Sequence, residues 1–334
     1  MYTIIASVIV FGMLIFFHEF GHFILAKLSD IKVREFSLGF GPQLFKMKPG
    51  ETEYSIRVLP LGGFVKMEGE DTKTADPRAF NNKPIISRLG VIFAGPAMNF
   101  VLAVLLIAII SFFAGVATTK ISVIPGEPAD KAGLKNGDVV YSIDGQKVRT
   151  WDEVVNLISQ KPCQNVSIVV LRDGKAMDFN LKTEIEHGTQ RGIIGIKSNV
   201  VKYSVTESIK SGVQRTFWIS KMILAGLFQI IRGKTRPDVV GPIGIVHMVG
   251  EAARVGIFNL LYLSAIISIN LGLFNLLPIP ALDGSRIFFL IVEFLRGKPL
   301  EPEKEGFIHF IGFTLLMILM IIIAYKDIMR FIFF

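Results

Sequence analysis

Four stretches of the chain are apolar almost without interruption: Tyr2–Ala26, Leu89–Gly115, Ile257–Leu277 and Phe307–Tyr325. Each is close to the roughly 20 residues that a helix needs to cross a bilayer core. A fifth stretch, Val213–Ile231, is broken by Arg215 and Lys221. Its polar positions Gln214, Lys221 and Arg232 recur near heptad spacing, which predicts an amphipathic helix lying along a membrane interface within a 201–256 segment. Between the first two spans, over 27–88, the pattern shortens. Phe36–Phe45 (FSLGFGPQLF) and Glu53–Gly69 (EYSIRVLPLGGFVKMEG), punctuated by Gly41-Pro42 and Gly62-Gly63, predict β-hairpins close to the membrane. Thr72–Pro84 reads as a loop. Residues 116–200 alternate short strand patterns with one helix, Trp151–Ser159, and form the soluble insert. The connection 285–306 is a loop, and 307–334 holds the last span.

Composition supports this division. The chain has 334 residues, 51% of them hydrophobic and only 19% charged, and a mean hydropathy of +0.52. A soluble globular protein is less apolar than this. The net charge of +8 is not gathered into a basic stripe interleaved with aromatics, so no nucleic-acid partner is expected. Lys27, Lys32, Arg34, Lys46 and Lys48 follow the first span, and Arg286, Arg296, Lys298 and Lys304 follow the third. By the positive-inside rule both connections are cytoplasmic, both termini lie outside, and the 116–256 insert is extracytoplasmic. The first span lacks a basic leader and an A-x-A-like site, so it is expected to stay rather than be cleaved as a signal peptide. The single Cys163 excludes an internal disulfide framework and a cysteine-rich metal site.

The polar residues inside the spans carry the candidate chemistry. Phe16–Phe23 reads FFHEFGHF, an HExxH motif within the first apolar run. Four residues apart on a helix, His18 and His22 share one face and can both reach a Zn²⁺ ion, with Glu19 beside them as general base. Ionisable groups are costly in hydrocarbon, and a bound cation offsets that cost. A third protein ligand must come from elsewhere in the chain. The third span ends in NLGLFNLLPIPALDG (Asn270–Gly284), where Pro278 and Pro280 break the helix and leave Asp283 just past the apolar run. Asp283 is the best-placed carboxylate, and Glu293, ten residues on, is its main competitor. Gly95-Pro96 and Asn99 in the second span read as packing devices. His187, His247 and His309 have no partner at ligand spacing.

The run Ile124–Val148 (IPGEPADKAGLKNGDVVYSIDGQKV) resembles the PDZ domains of bacterial proteases, and Arg191–Ile196 (RGIIGI) looks like their peptide loop moved to the end of a permuted strand order. With HEFGH at 18–22 and NLLPIPALDG at 275–284, nearly the whole chain resembles the site-2 protease family, whose bacterial branch consists of regulated intramembrane zinc metalloproteases. The fold class this implies is a polytopic α-helical membrane protein of about four transmembrane helices, with a membrane-associated β-hairpin region and an inserted PDZ-like α+β domain. The resemblance implies that His18, His22 and Asp283 bind zinc and that Glu19 is the catalytic base. It further implies that Asn270 and Asn275 hold substrate or steady the oxyanion, and that the hairpin around Gly62, Gly63, Phe64 and Val65 pairs with unwound substrate. The implied partners are single-span membrane proteins such as anti-sigma factors or remnant signal peptides, in a bacterial cytoplasmic membrane. Ser285 and Arg286 depart from the Gly and His frequent at those positions.

Two other classes compete with this one. A non-catalytic membrane PDZ scaffold would need neither Glu19 beside His18 nor Asp283 after a broken helix. A metal transporter would show repeated halves or several intramembrane acidic groups.

Overall fold

The computed structural model describes residues 2–70, 74–186, 188–234, 240–298 and 302–333; His187 lies outside them. The chain opens with α1 (Tyr2–Leu28), two long strands, β1 (Val33–Met47) and β2 (Glu53–Met67), and α2 (Ile85–Phe113). The insert follows with β3 (Val116–Val123), α3 (Pro128–Lys131), β4 (Val139–Ile143), β5 (Gln146–Lys147) and α4 (Trp151–Ser159). It continues with β6 (Asn165–Arg172), β7 (Lys175–Lys182), β8 (Glu184–Ile185), β9 (Gly192–Ile193) and β10 (Ile196–Val201). Helices α5 (Val205–Ile231), α6 (Pro242–Val255), α7 (Ile257–Asn275), α8 (Asp283–Arg296) and α9 (Pro302–Phe333) complete the chain. Two compact units result, 1–110 with 207–334, and 111–206.

In the first unit, among the described residues, α1, α2, α7 and α9 are the four helices long and apolar enough to cross a membrane. Helix α2 starts at Ile85, directly after Pro84, four residues before the apolar run begins. Helix α9 extends from Pro302 to Phe333, well beyond Phe307–Tyr325. Pro at its start and Glu303 and Glu305 in its first turn favour a helix N-terminus there. Small and branched side chains four apart, Ala6/Val10/Leu14 on α1, Leu102/Leu106 on α2 and Ala265/Ile269 on α7, close around one core with Ile219 of α5 and Val249 of α6. Helix α5 turns Ser208, Ser211, Gly212 and Thr216 inward. At Gly212 a Cβ would stand 2.5 Å from the Val104 carbonyl oxygen, so this amphipathic helix is seated against α2 as well as being exposed along Val205, Ile209, Val213 and Phe217. The Asp327 carboxylate of α9 accepts from the amides of Gly241 (3.2 Å) and Gly244 (2.8 Å), tying down the start of α6.

The β1–β2 ribbon folds back on itself: Phe36 lies opposite Val65 on one side and Tyr54 on the other. The stretch Gly63–Met67 pairs with β1 and forms an edge. Beneath it Ile31, Val33, Phe36, Val65 and Met67 pack with Ala26, Val91, Ile92 and Leu290. Val65 is thus a core side chain, and what it can offer to a ligand is backbone.

The second unit is an antiparallel sheet of order β10-β3-β4-β6-β7, with β5 hydrogen-bonded to β4. Helix α4 begins in a Thr150/Glu153 capping box. The RGIIGI segment supplies β9 and leads into β10, which pairs with the opening strand β3, so the end of this unit returns to its beginning. Asp138, 1% exposed, receives two hydrogen bonds from Arg172 (2.7 and 2.8 Å), and that guanidinium holds its carboxyl below the usual range.

Candidate active site

His18 and His22 lie on one face of α1, their rings edge to face with centroids 4.9 Å apart. The chain reaches them a second time through the broken end of α7. Leu276 to Leu282 form an irregular connection, and Asp283 is the first residue of α8. Gly284 allows this: a Cβ there would run into Leu276 and the Leu277 carbonyl. The connection also holds Ala281 at φ +76, a left-handed conformation that costs a non-glycine residue about 1–3 kcal/mol.

Three donor atoms converge as a result. His18 Nε2 is 3.3 Å from His22 Nε2, and Asp283 Oδ2 is 3.2 Å from the first and 3.5 Å from the second. Tetrahedral zinc ligands at ~2.0–2.1 Å from the metal stand ~3.3–3.4 Å from one another, so this triangle has the dimensions of a zinc face. Asp283 Oδ2 is buried and accepts no hydrogen bond, which a cation remedies. Two imidazoles and one carboxylate are a catalytic zinc set, leaving a position open for water or substrate. Among the described residues His18, His22 and Asp283 form the one such cluster. The competitor Glu293 is engaged elsewhere, in a two-bond ion pair with Arg88 (3.1 and 2.5 Å).

Helix α2 orients the imidazoles through Val91, Gly95 and Asn99, at i, i+4 and i+8 on one face. His22 Nδ1 donates to the Val91 carbonyl at 2.8 Å, which leaves Nε2 unprotonated and facing the cluster. Gly95 lies flat against the His22 ring, where a Cβ would overlap Nε2 and stand 2.8 Å from Cδ2. Gly21 makes the reciprocal approach to the Ala94 carbonyl. Fully buried Asn99 places its amide 3.1 Å from His18 Nδ1. Its nitrogen is drawn toward the ring while Oδ1 has no partner. Turning the amide over lets Oδ1 accept from Nδ1–H and frees His18 Nε2 for a metal. Ser268 of α7 bonds the Asn99 carbonyl at 2.8 Å. Asn99 therefore does more than pack, and the sequence signal for it was a lone amide in an apolar helix.

The remaining candidates surround this cluster unequally. Gly63 sits beside the base: a Cβ there would be 2.8 Å from Glu19 Cγ and 3.0 Å from Ile15 Cγ2. Gly62, at φ +126, lies against the Phe40 ring, which stacks on Phe64 with centroids 6.4 Å apart. Asn270 and Asn275 are half-buried on α7, Asn275 as its last residue. Arg286, one turn beyond Asp283, pairs with Glu70 just past the edge strand. Because a Cβ at position 95 would overlap the His22 ring, Gly95→Ala should displace Nε2 and cut zinc affinity at least 10-fold. Competition with a chromophoric chelator measures it; Gly90→Ala, which meets nothing within 4 Å, is the control.

A model of peptidase family M50 matches residues 6–319. The zinc metalloprotease RasP of Geobacillus kaustophilus is 35% identical over 414 aligned positions, which cover 98% of each chain. The regulator of sigma-W protease RasP of Bacillus subtilis is 33% identical over 417, again covering 98% of each. Both alignments are longer than this chain, so both relatives carry residues that it lacks. A solved PDZ domain of an SdrC-like protein from Listeria innocua is 29% identical, covering 27% of this chain and 99% of that one, with a TM-score of 0.22. With a family match running through both the HExxH helix and Asp283, the chain belongs to peptidase family M50 and is a zinc metalloprotease.

Proposed function

We propose that the protein hydrolyses peptide bonds within or beside the transmembrane segments of single-span membrane proteins, of the anti-sigma-factor or remnant-signal-peptide kind, in regulated intramembrane proteolysis. The observation that carries this reading is the closeness of a strand edge, Gly63–Met67, to Glu19 and the His18/His22/Asp283 cluster, all on or beside an apolar helix. In this reading the helices lie in the bacterial cytoplasmic membrane with both termini outside and the cluster near the cytoplasmic face. The insert adds a second contact, binding an extended peptide of the substrate as a PDZ domain does.

His18, His22 and Asp283 would hold the zinc, which when bound supplies Lewis acidity for water activation and carbonyl polarisation. Glu19 takes the proton from water as its oxygen bonds to the scissile carbonyl carbon, and returns it to the amide nitrogen as the C–N bond breaks. A peptide bond in a transmembrane helix is shielded, because its N–H and C=O are paired within the helix. Unwinding frees those groups, and each one left unpaired in a dry site costs several kcal/mol. The backbone edge at Gly62, Gly63, Phe64 and Val65 offers replacements, and Gly63, without a side chain, lets that edge lie directly against Glu19. Asn270 and Asn275 would hold the substrate backbone or the developing oxyanion.

Two outcomes test the proposal with purified protein and tagged single-span substrates. Glu19→Gln should keep its zinc and lose about 10²–10⁴ of the wild-type cleavage rate; wild-type turnover would refute the assignment of the base. Phe64→Pro removes an N–H from the edge strand and bends it. It should abolish cleavage of a continuous helical span while sparing one already broken by Gly or Pro near the scissile bond. Equal loss on both substrates would make the ribbon a cap only.

A further inference from the structure

The connection that carries Asp283 into place leaves one backbone donor over. Of residues 278–282, Pro278 and Pro280 have no N–H. The Ile279 amide bonds the Leu277 carbonyl (2.7 Å) and the Leu282 amide bonds the Ile279 carbonyl (3.1 Å), both within the connection. The Ala281 amide turns outward and donates to Nδ1 of His309 on α9 at 3.1 Å. Ala281 is also the residue held in the left-handed region, two positions before Asp283. The imidazole itself is fixed: its ring meets Phe289 of α8 edge to face, 5.6 Å between centroids at 86°. One turn further along α9, Gly312 closes on the same connection, where a Cβ would stand 2.7 Å from the Pro280 carbonyl oxygen. His309 Nε2 is buried and 3.8 Å from Glu305, beyond hydrogen-bond reach.

We propose that His309 is a positioning residue for the metal centre: its Nδ1 accepts the Ala281 N–H and keeps the strained connection in the one conformation that aims Asp283 at His18 and His22. A strained backbone persists only where its surroundings over-determine it. Here the surroundings are one hydrogen bond from α9 and one glycine contact beside it. The inference rests on Asp283 as the third zinc ligand, and extends the ligand's support to the last helix, which contributes nothing to the cluster directly.

The side-chain amides distinguish a hydrogen bond from mere filling. Asn places its carbonyl oxygen where His carries Nδ1, and Gln places it where His carries Nε2. Full-length, zinc-loaded protein is mixed with excess chelator and the rate of zinc release is followed, with no substrate present. His309→Ala and His309→Gln should release zinc about 10–100-fold faster than wild type, and His309→Asn should stay within a few-fold of it. Asp283→Ala in the same assay tests the underlying ligand. Wild-type release from His309→Gln alongside fast release from Asp283→Ala overturns the role of His309 alone. Equally fast release from the Asn, Gln and Ala variants overturns it too, since packing would then explain the effect. Wild-type release from Asp283→Ala overturns the ligand assignment and the inference with it.

Discussion

Two imidazoles and a carboxylate lie within 3.5 Å of one another among largely apolar helices, and the surrounding backbone is arranged to let them meet. Without a cation, the buried Asp283 oxygen would lack any partner; with one, three donors are satisfied together. That single requirement explains why glycines stand where the helices meet beside the cluster. Gly21 and Gly95 bring α1 and α2 together at the level of the ligands, and Gly284 lets α8 begin directly on the end of α7. It also explains the polar groups on α2. Val91 packs its side chain into the core beneath the ribbon, while its carbonyl and the Asn99 amide between them set the tautomer of both imidazoles.

The same requirement extends outward in two directions. Toward the ribbon, the folded β1–β2 strands bury Val65 and Met67 and leave the backbone of Gly63–Met67 along an edge beside Glu19. Toward the last helix, the connection before Asp283 is stiffened by two prolines and a left-handed alanine and is held by His309 and Gly312. The cluster is thus framed by α1, α2, α8 and α9, although α1 and α8 alone supply its three donor side chains.

Much of this was legible in the sequence because it is local. HExxH declares its geometry through helical periodicity, and LLPIPALDG declares a broken helix through two missing amides. The spans announce themselves by length and apolarity. The contacts that organise the site are not local and had no such signal. Asn99 looked like packing, since nothing in a single sequence says that it is opposite His18, 81 residues away. His309 was set aside for want of a ligand partner, and its partner proves to be a backbone amide 28 residues earlier. The choice of Asp283 over Glu293 rested on distance from the helix break. The structure adds the physical reason, an ion pair that commits Glu293 to Arg88. Val65 was expected only as part of a strand edge that pairs with substrate, and its side chain turns into the core beside Phe36, which leaves its backbone for that role.

Zinc-edge X-ray absorption on an Asp283→Cys variant tests the central claim most directly. The exposed Cys163 is replaced by Ser in both samples, so that the variant's only thiol is at position 283. The account predicts a wild-type shell of nitrogen and oxygen alone at ~2.0–2.1 Å, and in the variant one added sulfur at ~2.3 Å. A variant that holds zinc in an unchanged nitrogen and oxygen shell would show that residue 283 is no ligand, and would contradict the account.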